Sequence, residues 1–166
     1  MTIRDTHAGD FAAVLALNAE SVRFLSPLDA ERLCRLHACA AYHRVVEIDG
    51  AVVAFLLAFR EDADYDSPNY RWFQHQFPQF LYIDRVVVAA AAQGQGLGGR
   101  LYDDIIAFAA TRSVTPLTCE FDLDPPNPAS ERFHRRYGFR EVGRQRLANG
   151  KQVSLQARSV DEREAR

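Results

Sequence analysis

The sequence has little with which to hold a metal, cross a membrane or grip a nucleic acid. Its three cysteines, Cys34, Cys39 and Cys119, are odd in number and lack metal-type spacing. Cys34 and Cys39 lie on an expected helix at a separation that does not share a face well. Free thiols in a reducing cytoplasm are the simplest account, so a cytoplasmic protein with no metal is expected. No run approaches the roughly 18 apolar residues of a membrane span, and the opening residues, Met1–Asp5, carry no apolar signal core. The formal net charge is −2, and the basic stripe of a nucleic-acid binder is missing. Arg132, Arg135, Arg136 and Arg140 come nearest to one and read as a solvated helix face. There is no internal repeat and no low-complexity linker. What remains is the balance of a soluble globular protein, long enough for one domain and cramped for two. Residues 1–160 are expected to form that domain, with a frayed tail over 161–166.

Apolar periodicity supplies the element order. Thr2–Thr6 reads as a strand. Phe11, Val14, Leu15 and Leu17 then recur at helical spacing, with Asp10 placed to cap them and Pro27 ending or bending the segment. Asp29–Ala41 reads as a second helix with Leu33, Leu36 and Ala40 inward. Arg44–Ile48 and Val52–Phe59 flank Asp49-Gly50, a pair suited to the positive φ values of a tight hairpin. Glu61–Gln79 is polar, aromatic and loop-like, long enough to suggest a functional insertion. Phe80–Val88 is a strand interrupted only by Asp84-Arg85. Leu97–Ala110 is a helix with Leu101, Ile105 and Phe108 on one face. In Leu117–Leu123, apolar residues alternate with Thr118, Glu120 and Asp122. Asn127 is placed to cap a short helix with Pro128 first and Gly138 just past its end. Phe139–Leu147 and Gln152–Arg158 form a last hairpin around Asn149-Gly150. The order β-α-α-β-β-β-α-β-α-β-β has hairpins at both ends and one crossover in the middle. That describes an α+β (mixed α/β) protein rather than a doubly wound sheet.

Gln93-Gly94-Gln95-Gly96-Leu97-Gly98-Gly99 joins an apolar strand to an amphipathic helix. Glycines let several backbone N–H groups converge on one point, and the helix start adds its positive dipole end. Together they suit a pyrophosphate. A Walker A loop is excluded, because no Lys-Ser/Thr pair follows. The string G-x-G-x-x-G over Gly94–Gly99 leaves a dinucleotide loop open, although the hairpin-rich order disfavours one. A glycine-rich helix start with no ligand is the plain alternative.

The same segment also reads Gln-x-x-Gly-x-Gly, at Gln93, Gly96 and Gly98. It resembles the acyl-CoA pyrophosphate loop of the GNAT superfamily of N-acetyltransferases. Asn127–Phe139 resembles that family's later motif, Asn-x-x-Ala/Ser followed by Leu-Tyr and Gly-Phe. One helix and one strand separate the two, as in the family. The resemblance implies a three-layer fold with a central mixed, mostly antiparallel, splayed sheet flanked by helices. It implies acetyl-CoA as co-substrate, and an acetyl group moved to a primary amine by direct attack in a ternary complex. Backbone groups of Val86, Val87 and Val88 would pair with pantetheine. Gln93, Gly94, Gln95, Gly96, Leu97, Gly98 and Gly99 would hold the pyrophosphate. Asn127 would reach the pantetheine arm, and Phe133 would pack near the cofactor.

The resemblance also implies a general base at Glu120, to take the ammonium proton. The plain alternative there is a solvated carboxylate or an ion pair. Asp84 is the rival base, with pairing to Arg85 as its own alternative. His134 departs from the family pattern, since many members carry tyrosine there as acid toward the CoA thiolate. Histidine can also donate a proton; otherwise the thiolate leaves unassisted, or Tyr137 or water serves. An exposed helix histidine is the other reading. The departure also keeps open a catalytically silent acyl-CoA-binding or sensor domain.

The acceptor, a small-molecule or peptide amine, is expected between the early helices and the 61–79 insertion. There Glu61, Asp62, Asp64 and Asp66 could attract a cation, and Tyr65, Tyr70, Trp72 and Phe73 could shape a pocket. A packed surface loop or a homodimer contact explains the same residues. Asn18, Glu20 and Ser21 are weaker candidates.

Overall fold

The computed structural model describes residues 1–21 and 25–161. The expected frayed tail therefore lies, except for Asp161, outside the described residues. The strands are β1 (Thr2–Asp5), β2 (Tyr42–Ile48), β3 (Ala51–Arg60), β4 (Leu81–Val88), β5 (Leu117–Asp124), β6 (Arg140–Arg146) and β7 (Gln152–Arg158). The helices are α1 (Phe11–Glu20), α2 (Ala30–Cys39), α3 (Pro68–Gln76), α4 (Leu97–Thr111) and α5 (Pro128–Arg136). The strands form one sheet in the order β1-β2-β3-β4-β5-β7-β6. Every neighbouring pair is antiparallel except β4 and β5. That topology removes the dinucleotide reading of the glycine turn, which requires a doubly wound parallel sheet.

β3 shows why helices cover both faces. Its apolar run leaves no polar face, so water must be excluded from two sides. Ala54, Leu56 and Ala58 pack in one cluster with Leu97, Leu101 and Ile105 of α4. The alternate residues face the other way: Phe55 packs with Val14, Leu17 and Leu33, while Leu57 and Phe59 pack with Leu36, Tyr70 and Phe73. The result is helix, sheet, helix.

The Asp49-Gly50 turn behaves as its sequence implies, with φ of 50° and 79°. Asp29 caps α2 by accepting from Arg32 N at 2.7 Å, and Asn127 caps α5 by accepting from Ser130 N at 3.3 Å. Two expectations need correction. Asp10 makes no side-chain cap to α1; its carboxylate instead accepts from Arg4 at 2.8 and 2.9 Å and from His7 N at 2.9 Å. The forked Arg4 pair and the His7 amide together occupy the carboxylate, and the bidentate guanidinium geometry holds it there. The 61–79 stretch is not a plain loop, because it contains α3. Ser67 accepts from Tyr70 N at 3.4 Å and Pro68 opens the helix. Tyr70 and Phe73, one turn apart, are fully buried. Trp72 of α3 packs on Gly143 of β6 so closely that a Cβ there would lie 2.4 Å from the ring. This helix fastens the insertion to the last hairpin.

β4 and β5 pair only at Leu81–Leu117 and Tyr82–Thr118. Beyond those residues they diverge, while β4 stays paired to β3 as far as Val88. The wedge between them organises the site.

Candidate active site

Two cavities meet at β5. The first, about 230 Å³, fills the wedge between β4 and β5 and is closed by α4 and α5; Val86, Tyr102, Cys119, Asn127 and His134 line it. The second, about 530 Å³, lies toward α2, α3 and the β6–β7 turn; Arg32, Tyr65, Asn69, Tyr82 and Lys151 line it. Leu25, Asp84, Arg85, Glu120 and Asp122 border both. Glu120 thus stands where the two cavities join.

The glycine turn lies at the start of α4. Gly94 and Gly96 have φ of 79° and 74°, in the left-handed region that favours glycine, and Gln93–Gly96 are exposed. A Cβ on Gly99 would come 2.8 Å from the Tyr137 hydroxyl, which donates to Gly99 O at 2.9 Å. Phe133 lies under Gly98 and packs edge-on to Tyr102 at 4.7 Å. α5 and the Tyr137 that follows it therefore hold the start of α4 through two aromatic side chains. Gln93 Nε2 donates to Val88 O at 3.4 Å, tying the turn to the end of β4. Val87 is buried on the opposite face, while Val86 lines the wedge.

Glu120 is not a solvated strand carboxylate. Tyr82 donates its hydroxyl to Oε1 at 3.0 Å, and Oε2 is buried without a hydrogen-bond partner. Burial raises its pKa to about 8, with the nearby Asp84 and Asp122 carboxylates adding to the shift. The Tyr82 hydroxyl and the Asn69 side chain oppose the rise and do not overcome it.

Asp84 has both oxygens engaged. Arg85 Nε lies 2.6 Å from Oδ2, and the Tyr65 hydroxyl donates to Oδ1. The same Arg85 reaches Asn18 Oδ1 at 3.0 Å and Ser26 O at 3.2 Å. This buried pair fastens α1 and the segment after it to β4. The ion-pair alternative describes Asp84, and Glu120 is the carboxylate with an oxygen to spare.

His134 is buried rather than exposed on its helix. Nδ1 lies 2.7 Å from Ser130 O, which can only accept, so Nδ1 carries the hydrogen. Nε2 lies 2.7 Å from the Tyr102 hydroxyl and accepts from it. Burial lowers the imidazole pKa and keeps it neutral near pH 7. Tyr137, the other acid considered, has its hydroxyl at Gly99.

Of the insertion's residues, Tyr65, Asp66, Ser67, Pro68 and Asn69 line the second cavity. Tyr70 and Phe73 are core, Trp72 packs on β6, and Glu61 pairs with Arg60 at 2.7 Å. Ser21 borders the wedge, whereas Glu20 accepts from Ala90 N at 3.3 Å. Sequence reasoning missed Tyr82, Asn69, Tyr102 and Lys151. Only Tyr82 carried a local signal, since it lies on the same strand face as Asp84.

A splayed sheet with a glycine turn at one end of the wedge and a buried carboxylate at the other defines the class of acyl-CoA-dependent transferases. The chain belongs to the Acetyltransferase (GNAT) family, whose model matches residues 11–139. No curated protein matches the sequence. Among solved structures the chain is similar to Ard1 from Thermoplasma volcanium, with a TM-score of 0.77, 18% identity, and 95% of this chain and 96% of that one covered. It is similar to the ribosomal-protein-S18-alanine N-acetyltransferase from Escherichia coli, with a TM-score of 0.74, 17% identity and coverage of 99% and 96%. It is also similar to yncA from Salmonella typhimurium, solved with its cofactor acetyl-CoA, with a TM-score of 0.73, 20% identity and coverage of 100% and 97%. At such identities the likeness speaks for the fold.

Proposed function

We propose that this protein transfers an acetyl group from acetyl-CoA to a primary amine by direct attack within a ternary complex, with Glu120 as general base. The observation that carries the reading is the place of Glu120, at the junction of two cavities with one buried, unpartnered oxygen. Acetyl-CoA fits the wedge: pyrophosphate on the amides of Gln93–Gly99, pantetheine along the β4 edge at Val86–Val88, Asn127 and Phe133 beside it. The amine enters from the second cavity.

Direct attack needs a neutral amine. A carboxyl with a pKa of about 8 lies within about 2–3 units of an alkylammonium, so proton transfer to its ionised form costs little. The amine nitrogen then attacks the thioester carbonyl, and the C–S electron pair leaves on sulfur. On that side we assign the Tyr102–His134 pair. His134, fixed by Ser130 O, orients the Tyr102 hydroxyl, which can turn its hydrogen bond from Nε2 to the developing thiolate. A hydroxyl is thereby supplied from α4 where many relatives supply one from the position of His134.

An acetyl-CoA reaction with a broad amine panel, reading thiol release, tests the proposal. Turnover with any amine excludes the silent-sensor reading. Protection from thermal unfolding by acetyl-CoA without any turnover would favour the sensor.

A further inference from the structure

Lys151 is the only lysine in the chain. Within this sequence Lys151 is therefore the one side-chain primary amine that an acyl donor can meet. Among the described residues every other Lys/Arg partner in an ion pair is arginine, whose guanidinium is a poor acyl acceptor. Lysine appears at the one position where the cation lines the second cavity from the β6–β7 turn.

The amine is already close to the junction. Lys151 Nζ lies 3.3 Å from Asp122 Oδ2, a single long bond, with side-chain exposures of 30% and 14%. Asp122 borders both cavities. It stands two residues beyond Glu120 on the same face of β5, roughly 7 Å along the strand. The lysine stem is flexible, and rotating it past Asp122 carries Nζ toward the buried oxygen of Glu120.

We infer that Lys151 is a modification site, acetylated within its own molecule by the acyl-CoA bound in the adjoining wedge. The inference rests on the acetyltransferase reading above. The ammonium gives one proton to ionised Glu120 and becomes a nucleophile. Its nitrogen forms a bond to the acetyl carbon, the C–S bond breaks, and the electron pair leaves on sulfur. The second nitrogen proton goes to the departing sulfur, through Asp122 or directly. The products are the Lys151 acetamide, free CoA thiol, and one proton that Glu120 returns to solvent. Acetylation removes the cation from Asp122. It leaves the second cavity one charge more negative, which shifts acceptor preference toward cationic amines.

The whole protein is incubated with acetyl-CoA and no added amine, and followed by intact mass and peptide mapping. One acetyl group is expected on Lys151, at a rate per molecule independent of protein concentration. K151R, which keeps the charge beside Asp122, abolishes it. E120Q slows it at least about tenfold, and an added amine that turns over slows it by competition. An unmodified Lys151 beside active turnover of added amines sinks the inference and leaves the acetyltransferase reading standing. Neither modification nor turnover takes both down. Equal rates in wild type and E120Q would mean uncatalysed acylation by the thioester. A rate per molecule that rises with protein concentration would mean transfer between molecules. Either result overturns the assignment.

Discussion

The two cavities share β5 yet are built from different material. The wedge on the donor side is made largely of backbone: the edge of β4, the amides of the glycine turn and the start of α4. Aromatic side chains brace it from behind. The acceptor side is made of charged and polar side chains drawn from α2, α3, β4, β5 and the β6–β7 turn, mostly paired with one another. A backbone site depends on chain path and tolerates exchange of side chains. A side-chain site can be retuned by single substitutions without moving the fold. Under the proposed reading, the donor half fixes the kind of chemistry and the acceptor half is the part that single substitutions can retune.

The sharpest way to break this division is at the junction. Glu120→Gln is expected to lower kcat by about 10²- to 10³-fold while leaving the KM for acetyl-CoA unchanged. In the wild type, kcat/KM should rise with pH through the Glu120 pKa of about 8, and the variant should lose that arm. Unchanged turnover in steady-state assays would mean that the halves do not meet at Glu120. On the donor side alone, Gly99→Ala sets a Cβ 2.8 Å from the Tyr137 hydroxyl. The KM for acetyl-CoA should rise about tenfold, the effect of a local clash that α5 must move to relieve. An equal rise in acceptor KM would show that the two halves cannot be separated.

A subtler test concerns the leaving group. His134→Phe and Tyr102→Phe should each lower turnover about tenfold, and the double variant should be no worse, because the two act as a unit. Additive losses in a double-mutant cycle would dissolve the pair. The smallest expected effect is on stability. Glu120 has a folded pKa near 8 against 4.5 for the free group. Between those values the folded state holds a proton that the unfolded chain has released. The stability this proton linkage contributes is complete below about pH 4.5 and is lost as pH rises to 8. Glu120→Gln removes that loss, so thermal melts at pH 8 should show the variant more stable by about 1–2 kcal/mol. Equal melts would mean that the carboxyl is better solvated than its burial implies.

How much of this was legible beforehand follows the same division. The glycine turn, Asn127 with Pro128, and Asp49-Gly50 announce themselves because each meets a local backbone requirement. So did the sheet, through hairpins at both ends and one crossover. Helix α3 was hidden by its polar positions, although Ser67-Pro68 followed by Tyr70 and Phe73 carries a cap and a buried face. The enclosure of Glu120 was not legible. Strict alternation on β5 marks a polar face, and only distant elements, with Tyr82 and Asn69 among their side chains, turn that face into an interior. The meeting of Tyr102 with His134 joins two helices separated by a strand and has no local signature.

The divergence of β4 from β5 has one more consequence. Along Ile83–Val87 a central strand has no strand partner on its β5 side, in the middle of a sheet where such edges are normally closed. An open edge of this kind is a template for pairing with a foreign chain. A pantetheine arm lying there, as proposed above, would act as a substitute strand. Under the proposed reading, the glycine turn would hold the nucleotide end and so anchor that substitute in place. Acyl-CoA would then be a folding ligand as well as a reagent. Purified without it, the protein should be prone to self-association and gain thermal stability as the thioester is added.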